Sequence, residues 1–112
     1  MESKKIDTTL ILYLKGRLDA YLSKTVEKEI NEFINIETSC NFIFNLKDVE
    51  YLSSSGLRIF VSITRILKEN KRILVLCNMN KAVHNIFRIV ELLDMFNIFN
   101  TEKEAIDFLR KK

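Results

Sequence analysis

Asp48-Val-Glu-Tyr-Leu-Ser-Ser-Ser-Gly-Leu57 joins two stretches of opposite periodicity. Before it, Asn41 to Leu46 (NFIFNL) is a short apolar run of the kind that forms a buried strand. After it, Ile59, Phe60, Ile63, Ile66 and Leu67 gather on one face when placed at helical spacing. Between them, Lys47 to Ser55 reads as a polar turn, and the second helical run extends from about Ser54 to Asn70. Serine suits such a place. Its hydroxyl accepts hydrogen bonds from backbone N–H groups that a helix start leaves free. The stretch therefore predicts a strand, a tight turn and a helix in succession.

The same alternation extends in both directions. Leu10 to Leu14 (LILYL) predicts a strand closed by Lys15 and Gly16, with Ser3 to Asp7 as its partner strand or a frayed lead-in. Leu22, Val26, Ile30, Phe33 and Ile34 mark an amphipathic helix of about four turns. Downstream, Ile73 to Cys77 (ILVLC) is a continuous apolar run of the fully buried kind. Asn80 to Leu93 predicts a third helix with Val83, Ile86, Phe87 and Val90 on one face, and Phe96 to Phe99 a short strand. Thr101 followed by Glu104 is a capping box that opens a last helix ending at Leu109. Strands alternating with helices imply an α/β fold, with a mainly parallel sheet covered by helices and right-handed crossovers.

Composition narrows the function. The chain has 112 residues, of which 47% are hydrophobic and 29% charged, enough for one compact core and a solvated surface. Its net charge of +3 comes from 18 basic and 15 acidic residues that are scattered except for Arg110, Lys111 and Lys112. That pattern does not suit nucleic acid, which calls for a dense basic patch. Cys40 and Cys77 form no C-x-x-C pair, and with one histidine no zinc ligand set is expected. No apolar run approaches the ~20 residues of a membrane span, and Met1 to Asp7 lacks the apolar core of a signal peptide. The expectation is a soluble cytoplasmic protein without cofactor or metal. A small α/β enzyme is the competing class, but a serine nucleophile would need a base and His84 is the sole histidine.

Asp48 to Leu57 resembles the signature of anti-sigma factor antagonists, the small STAS domains in which an acidic residue and a few apolar positions precede a Ser-Ser-Gly or Ser-Thr-Gly triplet and a helix. Gly16-Arg-Leu-Asp19 resembles that family's turn before its first helix, Ala82 to Arg88 its third helix, and Thr101 to Ala105 the start of its last. The resemblance spans nearly the whole chain. It implies one STAS-type domain over residues 1–112, with a mixed sheet of roughly four or five strands and about four helices. By the same resemblance, Ser54 is the phosphate acceptor of a partner switch, followed by Ser55 and Gly56. The unmodified protein would bind an anti-sigma factor with serine kinase activity and release a sigma factor. Phosphorylation would end that binding and a PP2C-type phosphatase would restore it. Many relatives carry Asp where this chain has Ser53, so a charge is missing beside the acceptor and a second hydroxyl stands there.

On the second helix Ser54, Arg58, Ser62 and Arg65 fall opposite the apolar face, with Val61 at its edge. Together with Ser53, Ser55, Gly56 and Asp19 they form the candidate partner surface. Each has a plain structural reading beside the functional one. Serines before a helix act as caps and turns, Asp19 suits an N-cap, and Arg58 and Arg65 suit solvated helix charges. Two further functions stay open at this point. The chain could serve a stress-signalling assembly or a lipid or anion transport system, or it could be an interaction domain that is never phosphorylated.

Overall fold

The computed structural model describes residues 1–112. Five strands, β1 (Glu2–Ile6), β2 (Thr9–Leu18), β3 (Asn41–Leu52), β4 (Leu74–Cys77) and β5 (Asn97–Phe99), form one sheet in sequence order. β1 runs antiparallel to β2, and all other neighbours are parallel. The helices are α1 (Ala20–Ile36), α2 (Ser54–Glu69), α3 (Lys81–Ile89) and α4 (Glu102–Arg110), with a short 3-10 turn at Leu93–Met95. No helix is long and apolar enough to cross a membrane.

The sheet is buried on both faces, as parallel strands require. On one face Leu10, Leu12, Phe42, Phe44 and Leu76 pack against residues of α1, α2 and α3. On the other, Ile11, Ile43, Val75 and Cys77 pack against Ala105 and Leu109 of α4. Phe44, Phe60, Phe87 and Phe96 run through the larger core as successive ring pairs with centroids 5.4–6.1 Å apart. Burial pushes the Cys77 thiol up to about 12, and burial with a contact to Glu37 raises that of Cys40, so both thiols stay protonated at neutral pH.

Two strand boundaries and one helix end differ from expectation. Lys47 to Tyr51 is not a turn but the second half of β3, which continues to Leu52. Its alternation is broken because β3 carries two extra residues against β2. Tyr13 and Lys15 face Asn45 and Asp48, while Gly16 and Arg17 face Val49 and Tyr51. Each inserted residue is a bulge that resets the pleat, so Leu46, Val49 and Leu52 are buried at a spacing of three. For the same reason Lys15 and Gly16 do not close β2, which passes through a left-handed Gly16 (φ 90°) to Leu18.

The third helix ends at Ile89, short of Leu93, because Glu91 turns left-handed with φ 60°. The N–H of Leu92 then donates to Phe87 O at 2.9 Å and that of Glu91 to Arg88 O at 3.1 Å, the paired bonds of a Schellman stop. α2 stops in the same way through Lys71, with Arg72 N–H on Leu67 O at 2.8 Å. Glycine would take these conformations without a Cβ penalty of about 1–2 kcal/mol, partly offset by its greater freedom in the unfolded chain. Glu91→Gly is therefore expected to stabilise the fold by roughly 0.5–1 kcal/mol, read as a higher urea midpoint at unchanged slope. A lower midpoint would contradict this account.

Candidate functional site

Parallel strands bring their C-terminal ends to one side of the sheet, where β2, β3, β4 and β5 each lead into a helix, β2 and β3 through a single residue. Asp19, Ser53 and Asn80 are the N-caps of α1, α2 and α3. Asp19 Oδ1 accepts from the N–H of Tyr21 at 3.1 Å and of Leu22 at 2.9 Å. Asn80 accepts from Val83 N–H at 2.9 Å, and its side-chain amide donates to Val49 O at 2.7 Å, tying α3 to β3.

The serines of the turn have three different environments. Ser53 is held on every side. Its N–H donates to Leu18 O at 3.0 Å, its hydroxyl donates to the same oxygen at 2.9 Å, and that hydroxyl accepts from Gly56 N–H at 3.2 Å. The cap of α2 is thereby bonded to the end of β2. Ser54, in the first helical position, is exposed, and Ser55 is half-buried. Gly56 is buried, and a Cβ there would lie 2.9 Å from Leu18 O. Its expected role at the partner surface is corrected accordingly: it lets the start of α2 press against β2 and offers no surface to a partner.

Ser53→Ala removes both hydroxyl bonds, so it is expected to cost about 1–2 kcal/mol. Thermal unfolding checks this, and an unchanged midpoint would mean that the cap does not fasten α2 to β2.

Along α2, Arg58 and Arg65 are exposed and Ser62 is half-buried, in line with Ser54. Val61 leans against the larger core from the edge of this strip. Exposed Asp19 lies at the same sheet end. Sequence reasoning missed Arg17 and Tyr51, which face each other across β2 and β3, with the Arg17 guanidinium 4.6 Å from the ring centroid. It also missed Tyr21, 87% exposed at the start of α1. Arg17 and Tyr51 could be placed as a pair only once the bulges of β3 were known. His84 stands exposed on α3, and the hydroxyl of Ser53 is engaged by Leu18 and Gly56, not by an imidazole. No serine hydroxyl is hydrogen-bonded to His84.

The model of the STAS domain family matches residues 1–105. The anti-sigma-B factor antagonist of Listeria monocytogenes is 31% identical over 105 residues, covering 93% of this chain and 91% of its own. A candidate anti-sigma factor antagonist from Thermotoga maritima superposes with a TM-score of 0.89 at 24% identity, over 97% of this chain and 93% of that one. The anti-sigma factor antagonist SpoIIAA, solved unphosphorylated, gives a TM-score of 0.80 at 23% identity over 99% of this chain and 96% of its own. Its Bacillus phosphorylated form gives 0.70 at 22% identity over 96% and 97%.

Proposed function

The chain belongs to the STAS domain family, among the anti-sigma factor antagonists, and from that premise we propose that it is a partner switch worked by phosphorylation of Ser54. Unmodified, it binds an anti-sigma factor with serine kinase activity through the strip of Ser54, Arg58, Ser62 and Arg65, bordered by Val61, Asp19 and the flanking Ser53 and Ser55. That binding frees a sigma factor. The kinase then phosphorylates Ser54 and the complex parts, and a PP2C-type phosphatase returns the protein to its binding form.

One observation carries this reading: among the three turn serines, only Ser54 is exposed, while the hydroxyl of Ser53 is spent as both donor and acceptor. A phosphate at Ser53 would break the bond to Leu18 and the cap of α2 together. A phosphate at Ser54 meets the positive end of α2, and Arg58 lies one turn along the same face.

The test is incubation with the cognate anti-sigma kinase and ATP, followed by mass mapping of the modified residue. The expected product carries one phosphate, at Ser54. Modification at Ser53, or none under conditions where the kinase turns over, would refute the assignment.

A further inference from the structure

The positive charge of the protein is concentrated on two neighbouring helices. α2 and α3 hold five of the 18 basic residues, Arg58, Arg65, Lys68, Lys81 and Arg88, and one of the 15 acids, Glu69. That is a net +4, which leaves −1 for the rest of the chain against the total of +3. The helices lie side by side: Phe60 of α2 stacks on Phe87 of α3 with centroids 6.1 Å apart, and both rings are fully buried. All five cations are exposed. None of them has an ion-pair partner, since the four ion pairs of the molecule join Met1 to Glu29, Lys5 to Glu37, Lys103 to Asp107 and Arg110 to Asp7. Charge that looks scattered along the sequence is thus gathered by the fold. Apolar side chains stand among the cations: Ile89 is 73% exposed, and Val61 and Ile86 are only partly covered.

We propose that α2 and α3 together form a docking face for an acidic surface of the anti-sigma factor, with Lys68, Lys81 and Arg88 extending it beyond the strip that starts at Ser54. The proposal rests on the reading of the chain as an antagonist that binds an anti-sigma factor, and it adds the chemistry of the surface that is bound. Cations without acids between them repel one another, and carboxylates brought by a partner relieve that repulsion. Three of the five are arginines, whose planar guanidinium can hold a carboxylate through two parallel hydrogen bonds. Ile89, Val61 and Ile86 offer apolar contact, which a protein partner covers and a phosphate backbone does not. The same charge gives the switch its sign. A phosphate at Ser54 brings about −1.5 to −2 charges, close to half of what the two helices carry. The start of α2 and Arg58 tolerate it in the free domain, while the face loses much of its attraction for an acidic partner.

The test is stopped-flow association of the full chain with the purified cognate anti-sigma factor. Between about 0.05 M and 0.5 M salt the association rate of the parent should fall by about tenfold or more. At low salt Arg88→Glu, which lies outside the Ser54 strip, should slow association by about fivefold or more, and Lys68→Glu/Arg88→Glu by more again. Lys4→Glu makes the same change in net charge at an exposed position of β1, and should stay within about twofold of the parent. A rate indifferent to salt, or equal slowing by Lys4→Glu and Arg88→Glu, would overturn the proposal while leaving the antagonist reading intact. So would a DNA duplex of about 20 base pairs bound as tightly as the anti-sigma factor at about 0.15 M salt. Failure of the parent to bind the anti-sigma factor at all would overturn the antagonist reading, and this proposal with it. The salt series on the parent chain keeps the test decisive even if a reversal variant folds poorly.

Discussion

Phe60→Ala is expected to lower the stability of the fold by about 3–5 kcal/mol, the largest effect of any single substitution considered. Phe60 is fully buried where α2 meets the sheet. Its ring lies edge-on to Phe44 of β3, centroids 5.5 Å apart, and stacks on Phe87 of α3 at 6.1 Å. Phe87 in turn meets Phe96 at 5.4 Å. Truncation removes the link between two helices and the sheet and leaves a cavity whose walls belong to different elements. These cannot all relax into it at once. Because a domain has only about 5–15 kcal/mol of net stability, the variant should unfold at a much lower urea concentration. Phe108→Ala supplies the contrast. Its ring is only half-buried beside Phe99, at 5.0 Å, in the thinner layer under α4, so a loss nearer 1–2 kcal/mol is expected. Equal losses in the two variants would show that the phenylalanine chain does not dominate the core.

The same core explains which parts of the molecule were legible in its sequence. The apolar face of α2 could be placed from spacing alone, because Phe60, Ile63 and Leu67 recur at the helical period and nothing interrupts them. The Thr101–Glu104 capping box was equally local, and both of its reciprocal bonds are present. β3 beyond Leu46 was not legible. Its two bulges are defined against β2, some thirty residues earlier in the chain, and a window of neighbouring residues contains no record of them. The stops at Lys71 and Glu91 were hidden for a different reason: neither residue is the glycine or asparagine that usually marks a left-handed cap. At the site, the face that Ser54 shares with Arg58, Ser62 and Arg65 followed from helical periodicity, while Ser54 as acceptor is what the family resemblance implies. The role of Ser53 followed from neither, since half of its bonding is to the carbonyl of Leu18, 35 positions away. Gly56 was read as a place where a partner could come close. The element that comes close is β2 of the same chain.

On the proposed switch, Ser54→Asp is expected to weaken binding to the anti-sigma partner by about 2–4 kcal/mol, on the order of 30- to 1,000-fold, without loss of the fold. The two halves of that expectation have separate causes. Ser54 is exposed in the first turn of α2, so a carboxylate there displaces no packing. Its charge lies at the positive end of the helix, an interaction worth about 0.3–1 kcal/mol in favour of the folded state. The unfolding midpoint should therefore stay level or rise slightly. At a partner interface the balance reverses. The carboxylate loses water on docking, and Arg58, the exposed cation one turn along, lies on the strip that the partner must cover. A charge buried there without full pairing costs more than the helix end returns. Ser54→Ala makes the complementary case: it should bind within about threefold of the parent, roughly 0.6 kcal/mol, and resist inactivation by the kinase. Titration calorimetry with the purified anti-sigma factor reads the affinities, and thermal unfolding of the same samples reads the fold. An aspartate variant that binds as tightly as the parent would sink the switch. One that fails to fold would instead place the effect of the charge in the domain, contrary to the exposure of Ser54.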